Sequence, residues 1–191
     1  MAPPRRTDLW HGTAAVVTAG LILGSSYSVA AFGQRGDGTE QPLYDDAFRV
    51  HRVAGIVDLG ECRNDFGDAY QRCDVGASES AGDIGQHFPR CIAFAEDIIK
   101  WGKGSVIVHC ADGRDRSATV VLAYLMYADG MALRDAIALV EKARPQIAPS
   151  RGNMAVLRRY EIWLATRGHF VDPASPYSDK EARAFYEARE T

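Results

Sequence analysis

The sequence predicts an α/β fold, a central and mostly parallel sheet flanked by helices. Three observations predict it. Apolar, largely β-branched runs at 16–24, 55–59 and 105–110 read as buried strands. Runs with helical spacing of apolar residues cover 83–102, 117–128, 133–143 and 150–164. Strands that alternate with helices bury both element types best as a sheet with covered faces.

Each element has a local reason. Residues 1–12 are rich in Pro and Arg and are expected to be disordered. The weakly apolar stretch from Thr13 to Ala31 follows Arg5-Arg6 and ends in Ser28-Val29-Ala30-Ala31, which gives it features of a secretory signal peptide. We read it instead as the first strand, over 16–24, because Asp8 interrupts the basic segment and cleavage would remove a strand that the sheet needs. The run is too short and too rich in Gly and Ser to be a convincing transmembrane helix. Residues 33–40, GQRGDGTE, read as a loop. A second strand lies at 55–59 and a short one is expected within 70–75. Over 83–102, Ile84, Phe88, Cys91, Ala95, Ile98 and Ile99 share one helical face. Pro89 suits only a first turn, which moves the regular start to about His87. Asp129-Gly130 closes the helix that ends near Ala128. Pro145 ends the next one, and Pro149-Ser150 opens the last, with Val156, Leu157, Tyr160, Trp163 and Leu164 inward. Ser178-Asp179-Lys180-Glu181 has the form of a capping box. Residues 13–167 are therefore expected to form the domain, and 168–191 a tail with a short helix, packed on the domain or serving as a partner-docking segment.

The stretch around which the rest is arranged is 105–122, SVIVHCADGRDRSATVVL. A strand stops at His109-Cys110, a polar turn containing Gly113 follows, and a helix begins. Successive backbone N–H groups and a helix N-terminus then face one point, a geometry that favours an anion. The loop also carries a thiol at its start and a guanidinium at its end. Phosphoryl transfer needs a nucleophile, a clamp for the equatorial oxygens and an acid for the leaving oxygen. Cys110 is the candidate nucleophile, its thiolate favoured by the loop amides, the helix dipole and Arg116. Arg116 can grip two phosphate oxygens through its planar fork. Ser117 can donate a hydrogen bond to the departing thiolate, and His109 can orient the loop through its ring N–H groups. The backbone of Ala111, Asp112, Gly113 and Arg114 would hold the substrate phosphate, with Arg114 at the mouth.

His-Cys-x5-Arg-Ser, at His109 to Ser117, resembles the signature of the cysteine-dependent phosphatases. Gly20 to Ser26 with Ala30, the Gly55-Ile56 strand start, and Ala143-Arg144-Pro145-Gln146-Ile147-Ala148-Pro149 with Leu157 and Tyr160-Glu161 resemble dual-specificity phosphatases in particular. The resemblance runs from about Thr18 to Leu164 and is poor in the middle. It implies a dual-specificity phosphatase-like fold and hydrolysis of phosphotyrosine, with phosphoserine and phosphothreonine as further substrates, through a cysteinyl-phosphate. The family supplies its general acid as an aspartate about thirty residues before the cysteine, where this chain has Ser78. Asp74, Glu79 and Asp83 are nearby substitutes, each also readable as a helix cap or a solvated loop residue. Cys-x-Asp-Gly-x-Asp-Arg resembles the myotubularin lipid phosphatases, and its end resembles bacterial tyrosine and lipid phosphatases. That resemblance implies Asp115 as the acid, since a bound phosphate dianion beside it would favour its protonated form. The other reading of Asp115 is a brace for the loop, and Asp112 reads as structural.

Composition narrows the partners. The chain has 191 residues, with 22 Lys and Arg against 25 Asp and Glu, a net charge of −3. No basic block or basic–aromatic interleaving suggests nucleic acid. Four cysteines, at 62, 73, 91 and 110, form no C-x-x-C pair, which argues against zinc and fits a reducing compartment. No residues space like metal ligands, and the chemistry needs no cofactor. A monomer in the cytoplasm or nucleus is expected, acting on a phosphoprotein. A phosphoinositide 3-phosphatase is the alternative suggested by the loop; a lipid enzyme should add a basic membrane-facing surface, which only Arg5-Arg6 suggests here. A non-catalytic phosphate-binding pseudophosphatase is the third reading. Cys62, Cys73 or Cys91 could supply a disulfide partner for an oxidised Cys110.

Overall fold

The computed structural model describes residues 13–29, 32–34, 40–42, 45–60, 70–76 and 84–166. Its centre is a five-stranded sheet of β1 (Ala14–Val16), β2 (Leu21–Ser25), β5 (Val53–Asp58), β6 (Gln71–Asp74) and β7 (Ser105–Cys110), in the order β1-β2-β7-β5-β6. Only the β1–β2 pair is antiparallel; β2, β7, β5 and β6 run parallel. β7 is thus the middle strand, and all six of its residues are buried. Such a strand, covered on both faces, reads as a continuous apolar run rather than an alternating one.

The apolar run at 16–24 is a hairpin rather than one strand. Val17 N–H donates to Leu21 O at 2.9 Å and Leu21 N–H to Thr18 O at 3.4 Å, which turns the chain at Thr18-Ala19-Gly20. Side-chain pattern alone does not reveal this, because both arms are apolar and the turn lacks an Asn-Gly or Asp-Gly signal. The ends of the expected loop at 33–40 are also strands, β3 (Phe32–Gln34) paired antiparallel with β4 (Glu40–Pro42). Backbone hydrogen bonds suffice for such a pair whatever its side chains. A short helix, α2 (Asp45–Val50), precedes β5 and was not expected; α1 (Ser26–Val29) is a single turn after β2.

The remaining helices follow the apolar periodicity. A 3₁₀ turn at Ile84–His87 leads into α3 (Phe88–Ile99), with Pro89 in its first turn. α4 (Arg116–Ala128) follows the loop, and ten of its residues, from Ser117 to Met126, are buried, so it is the helix at the centre of the core. Gly130, at φ 64°, follows its C-cap at Asp129. α5 (Leu133–Ala143) and α6 (Arg151–Thr166) complete that layer, with the Ser150 hydroxyl accepting from Asn153 N–H at 3.3 Å to cap α6. Phe88 of α3 meets Tyr160 of α6 edge to face, at 5.0 Å between ring centres. The other face of the sheet is covered by a smaller cluster that includes Val29, Phe48, Ile56 and Ile107. The disorder expected for 1–12 and the tail helix expected within 168–191 lie outside the described residues.

Candidate active site

The site stands at the C-terminal end of the middle strand, where parallel α/β sheets leave a crevice for ligands. β7 delivers Cys110 there, the loop 111–115 turns back over it, and α4 starts at Arg116. The turn depends on Gly113, at φ 71°; a Cβ there would stand 2.6 Å from Gly24 O and 3.0 Å from Arg144 Nη2. Only glycine fits both the conformation and the space.

Cys110 is buried, and its Sγ lies 3.1 Å from Ser117 Oγ on the first turn of α4. Ser117 Oγ also donates to Gly24 O at 3.4 Å, which ties the base of the site to β2. Asp112 Oδ1 accepts from Arg114 N–H at 3.0 Å and lies 3.8 Å from Cys110 Sγ. Ser26 donates to Ala111 O through both its N–H (3.2 Å) and its hydroxyl (2.9 Å). Arg114 Nε donates to Gln146 O at 3.0 Å, and Ala148 N–H donates back to Arg114 O at 2.8 Å. The strand–loop–helix runs without a break from Cys110 through Ala111, Asp112, Gly113, Arg114 and Asp115 to Arg116 and Ser117.

His109 lies beneath the loop with no solvent exposure. Register explains its surroundings: it pairs with Asp58 of β5, which pairs with Asp74 of β6. Its Nε2 is 3.4 Å from Asp58 Oδ1. Burial, and then the nearby Arg72 guanidinium, push its pKa down to about 3, so the imidazole is neutral at physiological pH. Asp58 accepts from Gly60 N–H at 2.7 Å and pairs with Arg72 at 3.0 Å. Burial still raises its carboxyl above the ordinary value against both of those contacts.

Asp115 is held by α6. Its Oδ1 accepts from Ser150 N–H at 2.8 Å and from Asn153 Nδ2 at 2.7 Å. Of the other acid candidates, Asp74 is bonded to Arg72 at 2.7 Å, while Glu79 and Asp83 lie outside the described residues, as does Ser78. Cys73 and Cys91 hydrogen-bond each other; the contact lowers Cys73 to about 7 and, with burial, raises Cys91. Cys62 lies outside the described residues.

Sequence reasoning missed Arg144. It is 4% exposed, and its Nε donates to Gly113 O at 3.1 Å and its Nη2 to Asp112 O at 3.2 Å. A buried guanidinium thus satisfies two successive loop carbonyls at once. An Arg-Pro pair near the end of a helix is a weak signal, because a helix C-terminus favours a cation anyway.

This strand–loop–helix matches a known domain. The family described as "Dual specificity phosphatase, catalytic domain" matches residues 46–162, and the chain belongs to it. Dual specificity protein phosphatase 19 of Mus musculus is 37% identical over 140 residues, 72% of this chain and 63% of the relative. A candidate tyrosine phosphatase, 123R, of Invertebrate iridescent virus 6 is 35% identical over 116 residues, 60% of this chain and 80% of the relative. The crystal structure of a candidate dual specificity phosphatase from mouse, complexed with zinc tungstate, superposes with a TM-score of 0.72 at 25% identity, over 91% of this chain and 96% of that one. Several curated relatives are much longer; the match spans only 13% of a leucine-rich-repeat MAP kinase phosphatase from Dictyostelium discoideum. The chain carries a phosphatase domain of the dual-specificity type, as the motif and the strand pattern imply.

Proposed function

We propose that this domain hydrolyses phosphotyrosine, and phosphoserine or phosphothreonine, in protein substrates through a cysteinyl-phosphate. The observation that carries the reading is the 3.1 Å pairing of Cys110 Sγ with Ser117 Oγ, at the end of the middle strand and under the turn at Gly113. Cys110 attacks phosphorus as a thiolate, the phosphorus–oxygen ester bond breaks, and the leaving oxygen takes a proton. Water then attacks phosphorus, the phosphorus–sulfur bond breaks, and inorganic phosphate leaves. The N–H groups of 111–115 and the Arg116 guanidinium hold the equatorial oxygens in both steps. Ser117 donates to the sulfur when it departs. Neutral His109 holds the end of β7 in place, through its contact with Asp58 and a hydrogen bond with the Cys110 backbone.

For Asp115 we favour the brace over the acid. Two hydrogen bonds from α6 occupy Oδ1. Proton donation then falls to another group, for which Glu79 and Asp83 remain candidates. A reducing compartment, cytoplasmic or nuclear, fits the free thiols of Cys73, Cys91 and Cys110. Among the described residues no helix is long and apolar enough to cross a membrane.

A phosphate-release panel of phosphopeptides and phosphoinositides, with Cys110→Ser as the blank, tests the function. Turnover of phosphopeptides is expected. Release from a phosphoinositide with none from any phosphopeptide reverses the substrate assignment. Asp115→Asn, assayed on aryl phosphates with good and poor leaving groups, should lose equally on both; a loss confined to the poor leaving group returns the acid role to Asp115.

A further inference from the structure

We infer that Asp112 competes with the substrate phosphoryl group for the loop, and so sets how tightly this site holds oxyanions. The inference rests on the phosphatase reading above. Its basis is that one carboxylate oxygen, Asp112 Oδ1, engages both an N–H of the cradle and the nucleophile. It accepts from Arg114 N–H at 3.0 Å and lies 3.8 Å from Cys110 Sγ. A phosphoryl group positioned for attack needs those same two partners, an equatorial oxygen on the loop N–H groups and phosphorus in front of the sulfur.

The two anions exclude each other. An N–H group makes one strong hydrogen bond at a time, and a carboxylate at hydrogen-bond distance from the thiol stands where the phosphoryl group must enter. Productive binding therefore requires the Asp112 side chain to swing out. Asp112 is exposed, so solvent offers it a path. The apparent affinity is then reduced by the fraction of molecules in which the carboxylate holds the loop.

Neighbouring charges fit this role. Arg144 Nη2 donates to the Asp112 carbonyl rather than to its carboxylate, so the guanidinium fixes the loop backbone and leaves the side chain to rotate. Arg114 Nε is engaged by Gln146 O. Asp115, the other loop carboxylate, is tethered to α6 and cannot act in the same way.

The test is oxyanion affinity, because its direction separates a competitor from a brace: losing a brace loosens binding, and losing a competitor tightens it. Wild-type, Asp112→Ala and Asp112→Asn proteins are titrated with inorganic phosphate and with tungstate by calorimetry. The same ions are used as inhibitors of aryl phosphate hydrolysis. Asp112→Ala is expected to bind both ions about tenfold more tightly, with a lower KM for the aryl phosphate, as occlusion of about nine molecules in ten requires. Asp112→Asn keeps the acceptor oxygen and loses the charge, and should fall between the other two. Unchanged or weaker oxyanion binding by Asp112→Ala, with wild-type circular dichroism, overturns the inference. Absence of oxyanion binding and of turnover in all three proteins overturns the phosphatase reading itself.

Discussion

Arg144 is a cation nine-tenths and more buried, and its fork is spent on two backbone carbonyls, those of Asp112 and Gly113. Burial lowers its pKa from the ordinary value, while the nearby Cys110 and Asp112 act in the opposite direction. A guanidinium is the group for this position, because its donors diverge at a fixed angle and it resists deprotonation. Arg144→Ala leaves two carbonyls unsatisfied under the loop, at about 1–3 kcal/mol each. We expect a loss of about 2–6 kcal/mol in urea unfolding, together with a fall in kcat/KM. Arg144→Lys should recover part of the stability and less of the activity, since one ammonium cannot hold both carbonyls in the same geometry. Wild-type stability in Arg144→Ala would show that the loop stands without it.

At the scale of elements, the three strands β7, β5 and β6 place His109, Asp58 and the Arg72–Asp74 pair side by side beneath the loop. This arrangement gives stability a pH dependence with a definite sign. The unfolded chain protonates His109 near its ordinary 6.5, whereas the folded protein resists protonation until about pH 3. Between those values the unfolded state binds more protons, so the contribution is whole above about pH 6.5 and is lost as pH falls. Asp58 acts oppositely: its raised folded pKa makes the folded state the better proton binder from the ordinary carboxylate range upward. The His109 slope is therefore cleanest just below pH 6.5. Urea midpoints should fall from pH 7 to pH 5.5, and His109→Asn should flatten that fall. An equal slope in both proteins would contradict the placement.

The same register explains what the sequence could and could not disclose. Cys110, Gly113, Arg116 and Ser117 sit on one contiguous strand–loop–helix, so their spacing alone predicts the constellation. Arg144, Asp58, Arg72 and Asn153 reach the loop or its base from other elements, and only pairing and packing bring them there. Helix extents were legible because apolar periodicity and the Pro and Gly punctuation agree over 84–166. The hairpin of β1 and β2 was not, because a continuous apolar run hides a tight turn, and the β3–β4 pair was not, because polar sequence hides a backbone ladder.

For the whole molecule, the loop 111–115 is only as well placed as the sheet beneath it. β2 is fully buried beside β7, and Gly24 O takes the Ser117 hydroxyl. β1 and β2 thus belong to the sheet that carries the site, and β2 forms one wall of it. α4 packs against the sheet, α3, α5 and α6 at once, so helix and loop hold one position relative to Cys110. Several long elements thereby converge on one sulfur atom. Rapid acid quench of the protein with a phosphotyrosine peptide, followed by mass spectrometry of the peptide containing residue 110, tests that convergence most directly. One phosphoryl group on Cys110 is predicted in the wild-type protein, with none, and no turnover, in Cys110→Ser. Phosphate release that persists in Cys110→Ser, or a phosphoryl group on another residue, would contradict it.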